Sequence, residues 1–304
     1  MKLKTKDLLT LDELTDNEVS KIIEFGIKLK KELKKGSSKP ILKNKTLAMI
    51  FLKPSTRTRV SFETGMHQLG GNALNLSPDV LQLSRGESIE DTAKTLSRYV
   101  DAILARVYEQ KMIETLAKNS TVPVINGLSN SFHPCQTLAD LMTIKEKKKK
   151  LKGLKVAWIG DGNNVCNSLI YGCAKTGINI SIATPKGFEP DKTVIKKSKN
   201  KIKIEIGNNP DVAIKNADVV MTDTFTSIHN RDLKREKKFL PKFQVNSLLM
   251  KKAKKNAIFM HCLPAKRGKE VTSSVIDGKQ SVVWDQAENR LHTQKALLIS
   301  LLGI

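Results

Sequence analysis

The segment Thr46-Leu47-Ala48-Met49-Ile50-Phe51-Leu52-Lys53-Pro54-Ser55-Thr56-Arg57-Thr58-Arg59-Val60-Ser61-Phe62-Glu63 passes from an apolar run into a helix start through a short polar turn. Continuous apolar residues over 46–52 suit a strand buried on both faces, and the hydroxyls after Pro54 suit a helix N-terminus. The helix is expected over 56–69, where Gly70-Gly71 stops it. A strand feeding a helix in this way is the unit of a parallel α/β sheet.

The same alternation continues on both sides. Upstream, Thr15-Asp16-Asn17-Glu18 has the capping-box pattern, and Val19, Ile22, Ile23, Gly26, Leu29 and Leu33 follow at helical spacing. Downstream, a helix is expected over 91–98, a strand over 102–107 and a helix over 138–146 that runs into four lysines, 147–150. A like-charge block of this kind reads as a solvated helix end or linker. The pattern then restarts, with strands over 155–159, 178–183, 219–222 and 258–261 and a helix over 167–175. A last strand is expected over 282–284 and a closing helix over 287–302. The reading is two doubly wound α/β domains with central parallel sheets. The first covers 1–146 and is completed by 287–304, and the second covers 147–286.

Composition narrows the function classes. A chain of 304 residues is long enough for two domains, and 39% hydrophobic with 27% charged residues is ordinary for a globular protein. No run approaches the ~20 apolar residues of a membrane span, and the N-terminus has no apolar signal core. Cys135, Cys166, Cys173 and Cys262 show neither C-x-x-C nor zinc spacing, so a reducing, cytoplasmic setting is expected. The net charge of +23 invites a nucleic-acid reading, but it comes from scattered lysines, with nine arginines and only 5% aromatics for stacking. A solvated surface that speeds encounter with a small anion accounts for it better.

Ligands of such folds bind beyond the carboxyl ends of the strands. At the first strand end, Ser55, Thr56, Arg57, Thr58 and Arg59 put hydroxyls and two guanidiniums on a helix N-terminus, the chemistry of a phosphate site. Capping by Ser55 explains one hydroxyl and leaves the rest of the cluster. His133-Pro134-Cys135-Gln136 lies on a turn entering a helix, where a lone histidine is as readily a satisfied core residue as a catalyst. Gly160-Asp161-Gly162-Asn163-Asn164-Val165 begins like a dinucleotide fingerprint, yet Val165 stands at the third glycine and the next strand ends at Thr184-Pro185 without a carboxylate. NAD is therefore disfavoured, and no Walker A pattern is present. Asp223 and Cys262 each follow a strand, where a carboxylate beside a thiol could hold an amine. Cys262 could equally be a small buried hydrophobe. Arg290 near the start of the last helix is either a surface residue or an anion ligand.

Together these pieces resemble one family. S-T-R-T-R followed by S-F-E, R-G-E-S at Arg85 to Ser88, H-P-C-Q-x-L-A-D, H-C-L-P and A-E-N-R-L-H occur in order, and the whole chain is similar to the ornithine carbamoyltransferases. The resemblance implies transfer of the carbamoyl group of carbamoyl phosphate to the δ-amine of L-ornithine, with no metal or organic cofactor, in a cytoplasmic homotrimer or multiple of trimers. The final helix would return to the first domain. It implies that Ser55, Thr56, Arg57 and Thr58 hold the phosphate, with Gln82 arriving from a neighbouring subunit. Arg106, His133 and Gln136 would contact the carbamoyl group, and Arg290 would help close the site. Asn164, Asp223, Ser227 and Ile228 would bind ornithine, and Cys262 with the backbone of Leu263 would meet both substrates. Asp223, Cys262, Arg57, Arg106 and His133 would carry the chemistry, Asp223 and Cys262 by orienting the amine and favouring its neutral form. One departure falls on the acceptor side. Where the family has D-x-W-x-S-M-G, this chain has Asp223-Thr224-Phe225-Thr226-Ser227-Ile228-His229. A positive φ at His229 would cost about 1 kcal/mol relative to glycine. The alternative left open by that change is a sister enzyme acting on putrescine or an N-acylated ornithine.

Overall fold

The computed structural model describes residues 2–226 and 232–304. Its contacts divide the chain into two compact units, Met1–Met142 with Glu288–Ile304, and Thr143–Ala287.

The first unit opens with α1 (Asp16–Lys34), whose N-terminus carries the expected capping box between Thr15 and Glu18. Then follow β1 (Thr46–Phe51), α2 (Thr56–Gln68), β2 (Asn72–Leu76), a 3-10 turn (Gln82–Arg85), α3 (Ile89–Leu96), β3 (Ala102–Arg106), α4 (Gln110–Asn119), β4 (Val124–Leu128) and α5 (Pro134–Lys148). All pairings are parallel, in the order β2-β1-β3-β4. Ala48, Ile50, Ile103, Ala105, Ile113, Leu116 and Val124 build one core under this sheet. Because β1 is buried along nearly its whole length, its sequence is continuously apolar rather than alternating.

The second unit contains β5 (Lys155–Ile159), α6 (Asn164–Thr176), β6 (Asn179–Ala183), α7 (Lys192–Ser198), β7 (Ile204–Gly207), α8 (Pro210–Ile214), β8 (Val219–Thr222), α9 (Leu233–Phe239), α10 (Ser247–Met250), β9 (Ile258–His261) and α11 (Ser273–Ile276). Its sheet is also parallel, in the order β7-β6-β5-β8-β9. Phe225 stacks on Phe239 with ring centroids 4.6 Å apart, at the centre of a core that includes Ile159, Val220 and Phe259.

The last helix, α12 (Val283–Leu302), corrects the strand expected over 282–284. Val282 donates one ladder-like hydrogen bond, to Phe259 O at 3.0 Å, and its own carbonyl then accepts from Gln286 N as the helix begins. The β-branched and aromatic run favours a strand only where it finds a partner strand to pack on. Trp284 instead lies exposed on the first turn of the helix. From Glu288 onward this helix packs within the first unit, as expected. Gly26 of α1 and Gly65 of α2 make room for it, since a Cβ at either would meet atoms of α12 or its neighbours at 3.1–3.2 Å.

Candidate active site

Strand order reverses beside β1 and β3 in the first sheet and beside β5 and β8 in the second, and the crevice at such a point is where parallel sheets bind ligands. Register then sets which side chains gather there. Phe51 pairs with Arg106, so Arg106 stands level with the turn leading to Ser55. Thr222 pairs with His261, so the next residues, Asp223 and Cys262, leave their strands side by side.

In the first unit Ser55 is the N-cap of α2, accepting from Thr58 N at 3.2 Å. Arg59 is exposed and pairs with Glu63 on the outer face, so the two arginines of the motif do different work. Arg57 is half-buried, and its carbonyl accepts from Ser61 Oγ at 2.6 Å. The buried Arg290 of α12 ties the cluster together. Its Nη1 donates to Gln136 Oε1 at 2.7 Å, its Nη2 to Thr58 Oγ1 at 3.2 Å and its Nε to Gln294 Oε1 at 2.9 Å. Gln294 Nε2 donates in turn to Ser61 Oγ at 2.7 Å, and Gln136 Nε2 to Asp140 Oδ1 at 2.8 Å. With Thr58 Oγ1 accepting from a guanidinium, the Thr58 hydroxyl hydrogen is left to point at a ligand.

His133 is buried just before α5. Burial, and then the charges of Arg290, Arg106 and Arg57, hold its imidazole well below the usual range, so it is neutral. A neutral imidazole among three guanidiniums suits a dianionic ligand with a carbonyl to polarise. Lys53, beside the same strand end, has its ammonium pushed down by burial and then by Arg106. Cys135 is no nucleophile, because burial pushes its thiol up to about 12. Gln82 is exposed on the Gln82–Arg85 turn, accepting from Arg85 Nη1 at 3.5 Å, and among the described residues no hydrogen bond joins it to the cluster.

In the second unit Gly162 is required by space, since a Cβ there would lie 2.3 Å from Pro190 N. Asn163 caps α6, accepting from Val165 N and Cys166 N, while its Nδ2 donates to Asp223 Oδ2 at 2.7 Å. The Cys262 thiol donates to Asp223 Oδ1 at 3.1 Å. Both carboxylate oxygens are thus engaged, and Asp223 is fixed where β8 ends. Asn164, on the first turn of α6, accepts from Val165 N at 3.0 Å. Asp161, one turn earlier, pairs with Arg235, yet burial pushes its carboxyl up to about 6. Donor atoms of Asp223, His261 and Cys262 lie within 4.8 Å of one another, a grouping that could be read as a metal centre. Both nitrogens of His261 are engaged elsewhere, however, at 2.9 Å from Leu263 N and 3.2 Å from Glu270 Oε1. Ser227 and Ile228, together with His229, lie outside the described residues.

Among the described residues, the ones expected in the first unit lie at its strand ends or, for Arg290, on α12 against them, with Gln82 apart, and Asn164, Asp223, Cys262 and Leu263 lie at the strand ends of the second. Sequence reasoning missed Gln294, Asp140, Asn163, His261 and Glu270. The first two were within reach, since Gln294 is four residues after Arg290 and Asp140 four after Gln136, one helical turn in each case.

Comparison with known proteins agrees with this layout. Residues 6–146 match the family model described as aspartate/ornithine carbamoyltransferase, carbamoyl-P binding domain, and residues 152–301 match that of the Asp/Orn binding domain. The chain is 62% identical over 302 residues to an ornithine carbamoyltransferase of Cenarchaeum symbiosum, covering 99% of each. It is 53% identical to the anabolic ornithine carbamoyltransferase of Pyrococcus furiosus, covering 99% of this chain and 98% of the other. The solved structure of ornithine carbamoyltransferase from Pyrococcus furiosus superposes with a TM-score of 0.94 at 54% identity, over 98% of this chain and 97% of that one. That from Thermus thermophilus gives 0.91 at 41% identity, over 98% and 99%.

Proposed function

The chain belongs to the aspartate/ornithine carbamoyltransferase family, and on that footing we propose that it transfers the carbamoyl group of carbamoyl phosphate to the δ-amine of L-ornithine, giving L-citrulline and phosphate. The observation that carries the acceptor is Asp223, a carboxylate held between a thiol and an amide at the end of β8. It draws a basic side chain and repels the anionic one of aspartate. Relatives at 49–62% identity carry the ornithine name, and none of these comparisons favours putrescine or an N-acylated ornithine. A relative at 53% identity is named anabolic, which supports arginine synthesis as the direction.

In this reading the N-terminus of α2, with Ser55, Thr56, Arg57 and Thr58, holds the phosphate. Arg106, His133 and the Thr58 hydroxyl donate to the carbamoyl oxygen, where negative charge builds as the amine attacks. Neutral His133 serves as an N–H donor without competing for the transferred proton. Gln136 offers its remaining amide hydrogen, because its oxygen is taken by Arg290 and one hydrogen by Asp140. Arg290 thereby acts through Thr58 and Gln136 as well as through its charge. One C–N bond forms, the C–O bond to phosphate breaks, and the proton the amine gives up passes to the departing phosphate. A lone carboxylate would favour the ammonium form of the amine, so Asp223 serves to place the amine, and the Cys262 thiol and Asn163 amide temper its charge. Asn164, Ser227 and Ile228 complete the ornithine contacts, and Cys262 with the Leu263 backbone meets the reactants. No covalent enzyme intermediate is needed, and catalysis rests on positioning and preorganised donors. Gln82 would serve a neighbouring copy in a cytoplasmic homotrimer, a role in keeping with its exposure and with the apolar Val60, Leu74 and Val80 exposed on the same unit.

Turnover of carbamoyl phosphate with ornithine, putrescine and N-acetylornithine in parallel tests the assignment. Preference for ornithine is the expected result. Preference for either other amine would move the acceptor, and no turnover with any would overturn the reading.

A further inference from the structure

We propose that Lys266 is a positioning residue for the acceptor, whose ammonium fastens the chain leaving β8 to the chain leaving β9 so that Asp223 and Cys262 meet the amine in one arrangement. The role rests on the function proposed above. Lys266 Nζ donates to Thr226 Oγ1 at 2.8 Å and to Thr226 O at 3.3 Å. Thr226 follows Asp223 by three residues, and Lys266 follows Cys262 by four. These bonds therefore join the same two segments that the Cys262 thiol joins at Asp223, at a second point further along each. Between the two points, Phe225 O is already taken by Arg235 Nε at 2.9 Å, and the Phe225 ring is stacked on Phe239. Thr226 is thus held from the β9 side and Phe225 from α9.

The two ties differ in strength. A thiol is a weak donor, whereas an ammonium makes charge-assisted hydrogen bonds roughly twice as strong as neutral ones. Joined only at Cys262 and Asp223, the two segments would pivot about that contact, and the second tie removes the pivot. The surroundings of Lys266 fit that role. Its backbone N–H donates to the buried Glu270 Oε1 at 2.6 Å, which fixes where the side chain starts. Its half-buried ammonium pairs with no carboxylate among the described residues, and positions 227–231 contain no acid. A cation that leaves water to serve two neutral oxygens of one buried threonine contributes little to stability, but it holds that residue in place. Lys266 acts through Thr226, not on the reacting atoms.

Lys266→Met removes both bonds and keeps an unbranched stem, while Lys266→Arg keeps donors for both oxygens. In steady-state kinetics K266M should raise KM for ornithine at least ~10-fold and lower kcat by about tenfold, as for a small misplacement of the reacting groups. KM for carbamoyl phosphate should stay within about twofold, and K266R should hold KM for ornithine within about threefold of wild type. Equal rises in both KM values of K266M, or losses in K266R as large as in K266M, would overturn the proposal. Amide hydrogen exchange over residues 223–226 reads the tie without substrate. It should quicken about tenfold or more in K266M and hold in K266R, and an unchanged rate in K266M would refute the tie. Thr226→Val decides the matter if K266M does not fold, since it loses one of the two bonds and leaves Lys266 in place. Exchange and KM for ornithine should then each rise about threefold, and wild-type values for both would refute the proposal. If wild type failed to use ornithine, the functional reading would fall while the exchange measurement still decided the inference.

Discussion

Arg290→Met removes the guanidinium that joins α12 to Thr58 and Gln136 while keeping an unbranched side chain of similar length. Three hydrogen bonds from a charged donor, at ~1.5–3 kcal/mol each, would total about 5–9 kcal/mol if they were lost independently. Burying the guanidinium also carries a desolvation cost of several kcal/mol, which the variant recovers. The net loss should be about 2–4 kcal/mol. At ~2–4 °C per kcal/mol for a unit of this size, the thermal midpoint should fall by about 5–12 °C. Catalysis should suffer separately. KM for carbamoyl phosphate should rise at least ~10-fold, because Thr58 and Gln136 lose the group that orients them. Arg290 is also the strongest of the charges that hold His133 down, after burial itself. Without it the His133 imidazole moves back toward its ordinary range, so the acid limb of the kcat profile should shift to higher pH in the variant. Calorimetry and steady-state kinetics across pH measure all three effects. A thermal midpoint within ~1 °C of wild type, together with an unchanged KM, would refute the keystone role of Arg290.

Arg57→Ala should cut kcat/KM for carbamoyl phosphate by at least ~100-fold, and near-full activity would remove the phosphate assignment. Asp223→Asn should raise KM for ornithine far more than KM for carbamoyl phosphate, and a parallel rise in both would contradict the division of labour between the units. The Asp161 carboxyl, raised to about 6, binds its proton more tightly in the native protein than in the unfolded chain. Its contribution to stability is thus full below the unfolded value near 4 and is lost as pH rises through about 6, by roughly 3 kcal/mol in all. Asp161→Asn should flatten that part of the stability profile in denaturant titrations, and a profile as steep as that of wild type would refute the assignment.

How far the sequence discloses this molecule depends on what stabilises each part. The strands over 155–159, 219–222 and 258–261 are legible to the residue because buried parallel strands are continuous apolar runs. Asn72–Leu76 and Val124–Leu128 escape notice because they carry Asn72, Asn75, Asn126 and Gly127, residues with poor local preference that pairing with β1 and β3 overrides. Val282 to Trp284 errs the other way, with strand-forming residues that find no ladder. Residues of the site that follow a strand directly, such as Asp223 and Cys262, are visible as reactive groups at a break in hydrophobicity. Asn163 and Glu270 are not, because their importance lies in which distant atom they meet. Register and tertiary folding decide that, and no local spacing encodes it.

The last helix also bears on how the chain is made. Residues 288–304 belong to the first unit, yet they leave the ribosome only after the whole second unit has been synthesised. Until then Arg290, Gln294 and Lys295 are absent, and the grooves at Gly26 and Gly65 stand uncovered. The second unit is continuous in sequence, and domains generally fold as units in the order of their synthesis. The first unit begins earlier and is completed only once residues 288–304 have been made. A nascent polypeptide stalled anywhere before Glu288 therefore carries the Ser55–Thr58 turn without the guanidinium that donates to Thr58 and Gln136.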